Sequence, residues 1–174
     1  NWIALGDSLP YLSVGNIVID SQNPDNLYIT IGDHNGWWEY GLGVYKSTDA
    51  GLTWQPTSHT TPFTSQTAYS RMIINPENPL ELFVAQTDGL FRTQDGGDTW
   101  TLVHEDYHND VVFQPGNPST VYSCTNDYWG SSEVYVSYDS GDNWYQLTDF
   151  GTSYSQIKLT VTPANADYLG IMHN

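Results

Sequence analysis

One eight-residue pattern occurs three times in this chain, and it restricts the possible folds more than any other feature. Ser47-Thr48-Asp49-Ala50-Gly51-Leu52-Thr53-Trp54 is echoed by Thr93-Gln94-Asp95-Gly96-Gly97-Asp98-Thr99-Trp100 and by Ser137-Tyr138-Asp139-Ser140-Gly141-Asp142-Asn143-Trp144. The shared form is [ST]-x-D-x-G-x-[TN]-W, with the tryptophans 46 and 44 residues apart. A fixed period of that length marks a repeat architecture, and it is close to one four-stranded propeller blade.

A second motif keeps the same phase. Ile17–Asp20 runs into Asn23-Pro24, Ile73–Asn75 into Pro76, Val111–Gln114 into Pro115 and Leu159–Thr162 into Pro163. Each is a short β-branched strand closed by a proline turn. An apolar strand follows each turn, a third strand enters the box, and a fourth leaves from its tryptophan. No helical periodicity interrupts the series. The expected fold is all-β: a β-propeller of four-stranded antiparallel blades, incomplete, with about three and a half blades in this chain. The divisions are a blade end at 1–12, blades at 13–58, 69–104 and 109–148, and a partial blade at 155–174. Asn1-Trp2-Ile3-Ala4-Leu5 aligns with Asn143-Trp144-Tyr145-Gln146-Leu147, so the chain reads as a piece of a longer protein with further blades on both sides.

The box has a physical logic. Asp and Ser/Thr side chains bond turn backbone groups that the strand ladder leaves unpaired. Glycine permits a positive φ. Tryptophan supplies an apolar plate that wedges into the fold. Ser47, Asp49, Gly51, Trp54, Thr93, Asp95, Gly97, Trp100, Ser137, Asp139, Gly141 and Trp144 are therefore read as structural. Identical carboxylates on successive blades are spread around a rim and do not converge.

Charge excludes some partners. The net charge is −16, from 20 acidic and 4 basic residues. Such a surface repels phosphate backbones, so nucleic acid is not an expected partner. No cofactor is expected. Calcium is compatible with the acidity, but no motif indicates it, and no metal site is assigned. No apolar run reaches the roughly 18 residues of a membrane span. Cys124, the single cysteine, lies in an apolar strand and reads as a small buried hydrophobe.

The boxes, each in register with a proline turn, resemble the Asp-box (BNR) repeat family over the whole chain. Its members include sialidases, sortilin-type receptors, xyloglucan-active glycosidases and a photosystem assembly factor. Phrases such as GVYKSTDAGLTW and NPDNLYITIGD are similar to large bacterial surface proteins of the type 9 secretion kind. The resemblance implies that the boxes sit on the blade edge away from the functional face.

That functional face carries the loops between second and third strands and those between blades. Trp37, Trp38, Tyr40, Tyr128 and Trp129 lie in two such loops beside carboxylates, a composition suited to stacking on sugar rings, to protein contact, or to packing on the adjacent blade. Asp33 ends a second strand, and xyloglucan-active relatives carry a catalytic Asp in a similar loop. Arg71 precedes a first strand and is the arginine directed at the channel; Arg92, beside a box, reads as structural. Sialidases use three arginines, which this chain lacks. His104, Asp106, His108 and Asp110 alternate, but they fall where a turn is expected and read as a solvated loop.

The leading expectation is a secreted or cell-surface propeller segment with a binding, adhesion or structural role, located outside the cell. Its partners would be the remaining blades, a glycan or protein ligand, or a secretion machinery. The alternatives are a carbohydrate-active propeller (a xyloglucanase-type glycoside hydrolase or glycan binder) and a sortilin-like peptide receptor.

Overall fold

A computed structural model describes residues 4–32, 41–60, 67–126, 131–149 and 157–173. Fourteen strands occupy them, and there is no helix among the described residues. The first sheet holds β1 (Val14–Ile19), β2 (Leu27–Ile31), β3 (Gly43–Ser47) and β4 (Gln55–Thr60) in that order. The second holds β5 (Tyr69–Ile74), β6 (Leu82–Gln86), β7 (Gly89–Thr93) and β8 (Thr101–His104). The third holds β9 (His108–Gln114), β10 (Asn117–Thr125), β11 (Glu133–Ser137) and β12 (Tyr145–Asp149). β13 (Ile157–Val161) and β14 (Leu169–His173) make a two-stranded sheet. Every pairing is antiparallel between neighbours in sequence. This is an incomplete β-propeller, as the repeat predicts. Residues 4–13 carry no strand; Leu5 packs on the first box, and its carbonyl accepts the Trp54 indole N–H at 2.9 Å.

The blades stack face to face, with β1, β5, β9 and β13 side by side at the inner end. Stacking buries both faces of the middle strands, so β2 and β6 are buried at every residue instead of alternating. Outer strands β4, β8 and β12 are largely exposed. The core is three interleaved clusters, one per junction. Tyr28 and Val44 meet Tyr69, Met72, Leu82 and Val84 between the first and second blades. Phe83, Ala85 and Leu90 meet Val111 and Val121 between the second and third. Val112, Cys124 and Val134 meet Ile157 and Leu159 at the last. Cys124 is fully buried there, and burial raises its thiol pKa.

The three box turns share one geometry. Ser47, Thr93 and Ser137 each donate to the following Asp at 2.7–2.8 Å and accept the glycine N–H at 2.8–2.9 Å. Each Asp also accepts the backbone N–H and side chain of the residue four positions on: Thr53, Thr99 or Asn143. Two consecutive residues, not only the glycine, have positive φ: Ala50 and Gly51 (58° and 88°), Gly96 and Gly97 (71° and 97°), Ser140 and Gly141 (59° and 91°). A Cβ on Gly97 would lie 2.8 Å from Thr57, and one on Gly141 would lie 2.8 Å from Phe83, both on the preceding blade. The glycine therefore serves the turn and the junction together. Backbone bonds Ala50 N–Asp25 O, Gly96 N–Leu80 O and Ser140 N–Ser119 O tie each box to its blade's first turn. Boxes and first turns thus share one end of the blades. The loops between second and third strands, and between blades, share the other.

Candidate loop-end site

Asp33, Trp37, Trp38, Tyr40, Tyr128 and Trp129 lie outside the described residues. The site is therefore built from the walls and junctions around their loops. Gly41 N donates to Thr67 O at 3.0 Å, which joins the foot of the long first-blade loop to the next blade. Thr67 also donates to Asp88 Oδ2 at 2.6 Å, and Thr87 Oγ1 accepts Ala68 N at 3.2 Å.

A histidine closes the loop end of each of the first two junctions. His59, near the end of β4, is buried and donates from Nε2 to Gln86 Oε1 at 2.7 Å. Tyr69, Phe91 and Trp100 surround its ring, with centroids at 6.1, 4.7 and 5.2 Å. Burial lowers its pKa. His104, at the end of β8, occupies the matching position one blade on. Its ring lies 4.9 Å from His108, 4.3 Å from Tyr135 and 6.1 Å from Trp144.

The second junction holds a run of short polar contacts. Ser123 donates its hydroxyl to Asp110 O at 2.8 Å, and its oxygen lies 2.7 Å from His108 Nδ1. His108 Nε2 lies 3.1 Å from Glu105 O and 3.0 Å from His104 Nδ1. His104 Nδ1 is in turn 2.7 Å from Glu105 O, so one carbonyl gathers both rings. His108 is wholly buried, and burial, followed by repulsion from His104, lowers its pKa to about 3. It is neutral at any ordinary pH. The contacts run from Ser123 through His108 to His104. Tyr135 donates a short bond to Glu133, whose other oxygen accepts Ser131 at 3.2 Å; burial first, then Glu133, raises the phenol pKa. The connecting turn carries Asp106 at φ 76°.

The solvated loop expected for His104 to Asp110 is thus half right. Glu105 and Asp106 are exposed in a turn, while His108, Asn109 and Asp110 are buried in β9. The alternating pattern is broken by that turn, so the four side chains do not share one side. Among the described residues no group of three or more His, Cys, Asp or Glu converges on a metal position.

The inner wall repeats one position across all four sheets: Asn16, Arg71, Asp110 and Lys158. Asn16 Oδ1 accepts Met72 N at 3.3 Å, and Asp110 Oδ2 accepts Leu159 N at 3.0 Å, each across a junction. Arg71, about half exposed, sits 3.8 Å from Asp110 and lines an open concavity of about 440 Å³ with Ile17, Ile73, Phe113 and Val161. Lys158 donates to Asn109 O at 2.8 Å. At the box end Lys46 donates to Gly96 O at 3.3 Å, while Arg92 donates to Ser140 O and pairs with Asp142 at 2.5 Å. All 4 basic residues of the chain therefore bridge blades. A site here presents hydroxyls, amides, carboxylates and an imidazole, with Arg71 as its one half-exposed guanidinium among the described residues. That suits an uncharged, hydroxyl-rich ligand better than an anion.

Sequence reasoning read Arg92 as structural but passed over Lys46 and His59, and it placed His104 in a solvated loop. The signal was present, since Lys46 and Arg92 hold the same motif position, as do His59 and His104 within one residue.

No protein-family model matches the chain. It is 26% identical over 191 residues to a xyloglucanase of a Paenibacillus species, covering 88% of this chain and 18% of that enzyme. It is 29% identical over 172 residues to a xyloglucanase of Acetivibrio thermocellus, covering 79% of this chain and 20% of the enzyme. A third relative, the oligoxyloglucan-reducing end-specific xyloglucanase of Emericella nidulans, is 26% identical over 82% of this chain and 19% of its own length. The chain thus spans about a fifth of these relatives. Among solved structures, an ancestral GH74 enzyme superposes with TM-score 0.74 at 21% identity, over 91% of this chain and 21% of that one. A YCF48 protein bound to D1 peptide superposes with TM-score 0.61 at 17% identity, over 87% and 45%. These likenesses show the propeller fold. The xyloglucanase relatives overturn the expected binding or adhesion role. Box and blade motifs look alike in binding and hydrolytic propellers, so wording inside the scaffold was a poor guide to the task.

Proposed function

We propose that this chain is part of a carbohydrate-active β-propeller, a glycoside hydrolase of the xyloglucanase kind, with its glycan at the loop end. The observation that carries this reading is similarity in sequence to three xyloglucanases, each across 79% or more of the chain. The loop end supports it. Its hydroxyls, amides and carboxylates suit an uncharged polymer, and Trp37, Trp38, Tyr40, Tyr128 and Trp129 are our candidates for stacking on sugar faces. Arg71 is a candidate wall contact. Asp33 is our candidate acid or base, because Asp88 and Glu133 are already tied to hydroxyl donors. Hydrolysis of this class uses two carboxylates flanking the scissile bond. A polymeric substrate does not cross a membrane, so an extracellular location follows from the same reading.

The test is reducing-end release from xyloglucan by the intact protein, beside an unbranched β-glucan. Release from xyloglucan is expected, falling on the order of a hundredfold or more with Asp33→Asn. No release from either polymer overturns the hydrolase reading. Full activity in Asp33→Asn overturns the residue.

A further inference from the structure

The box ends of the first two junctions are built on one plan and finished differently. Each has a cation one residue before the box Ser/Thr, directed at the next blade's box. At the second junction Arg92 reaches both Ser140 O and the Asp142 carboxylate, and the ion pair closes the gap. At the first junction the matching residues are Lys46 and Asp98. Lys46 reaches Gly96 O at 3.3 Å, the counterpart of Ser140 O, and lies 5.3 Å over the Tyr28 ring. It forms no ion pair with Asp98. Between them an open cleft of about 200 Å³ remains, lined by Thr48, Thr53, Gln55 and Thr57 as well as the two charged groups.

We infer that this cleft is a second glycan-binding site, at the end of the blades opposite the loops, holding one uncharged sugar residue between Lys46 and Asp98. The lining decides the chemistry. An anion would meet Asp98, and a cation would meet Lys46. A vicinal diol satisfies both, accepting from the ammonium and donating to the carboxylate, with Thr48 and Gln55 free to bond further hydroxyls. Among the described residues the side chains of Thr48, Gln55 and Asp98 make no hydrogen bond of their own. Lys46 is preorganised by Gly96 O and by Tyr28, which lowers the cost of ordering it on binding. The choice of a glycan rests on the function proposed above; the cleft itself does not.

The experiment is hydrogen–deuterium exchange of the intact protein with and without xyloglucan oligosaccharides. Protection is expected in peptides spanning 46–57 and 96–98. Lys46→Arg, which rebuilds the closed arrangement of the second junction, is expected to remove that protection, and Asp98→Ala to weaken apparent affinity at these peptides about tenfold. No protection at these peptides in the unaltered protein, or protection that survives both substitutions, overturns the second site. Loop-end protection and glycan hydrolysis are read on the same unaltered protein, so failure there counts against the hydrolase reading and leaves the box-end result to stand or fall separately.

Discussion

The junction between the first and second blades and the junction between the second and third are the same design with opposite finishes. At the box end the first is open around Lys46 and Asp98, and the second is sealed by Arg92 and Asp142. At the loop end a histidine closes both, in different ways. The first packs His59 in a cage of Tyr69, Phe91 and Trp100, while the second threads a polar chain from Ser123 through His108 to His104. The comparison teaches that a propeller junction needs apolar stacking along its middle, and that its two ends are free to differ. A guanidinium carries a planar fork long enough to bond a carbonyl and a carboxylate together; an ammonium is a point donor on a flexible stem and reaches one of them.

Four perturbations break or sharpen that contrast. The largest effect is expected at the box glycines. Gly141→Ala forces a side chain into φ 91° and against Phe83 at 2.8 Å, which should cost about 3 kcal/mol. Gly51→Ala, with its nearest contact at 3.3 Å to the Leu5 side chain, should cost about half as much. Equal shifts in the urea midpoint would show that the turn alone, and not the junction, demands glycine.

Removing the seal comes next. Arg92→Ala leaves Ser140 O without its donor and should cost about 2–3 kcal/mol, less than a fully buried pair because Asp142 is 62% exposed. Lys46→Ala should cost about 1 kcal/mol or less. A double mutant of Arg92 and Asp142 with no coupling energy would remove the pair from the explanation.

Acid should then act unequally on the loop ends. An unfolded histidine takes up its proton near pH 6.5, whereas folded His108 does so only near 3. The unfolded state binds the proton first, so this contribution is intact above pH 6.5 and is lost as pH falls from 6.5 toward 3. The expected loss by pH 5 is about 2 kcal/mol. His108→Phe should flatten that slope, and an unchanged slope would refute the assignment. His59, also depressed by burial, contributes with the same sign. The smallest effect is Lys46→Arg, a gain of about 0.5 kcal/mol if it completes the missing pair with Asp98; a loss would mean that the first junction has no room for the fork.

Much of this was legible in the residues. The box spacing and the proline turns predict the strand quartets, and Cys124 sits where an apolar strand would bury it. The second positive φ in each box was not legible, because Ala50 and Ser140 carry no sign of it. His108 was read as solvated because it falls where a turn between blades is expected. It is buried because β9 begins at His108, three residues before its apolar run at Val111, and Ser123 lies against its ring. The functional expectation failed for a different reason. The motifs that dominate the sequence build the scaffold, and the same scaffold holds hydrolases and peptide binders alike.

The sequence by itself determined what one blade is: its period, its strand count, its box turn and the glycine that turn requires. These depend on residues within a few positions of one another, where backbone preference and local hydrogen bonding decide. The tertiary structure alone decided how blades meet. Arg92 and Asp142 are 50 positions apart, and Asn109 and the Ile157 carbonyl 48, each about one repeat away. Whether such groups touch depends on how the sheets stack and on the reach of each side chain, and no local pattern encodes either. The closed seal, the open cleft and the histidine chain are all of this second kind.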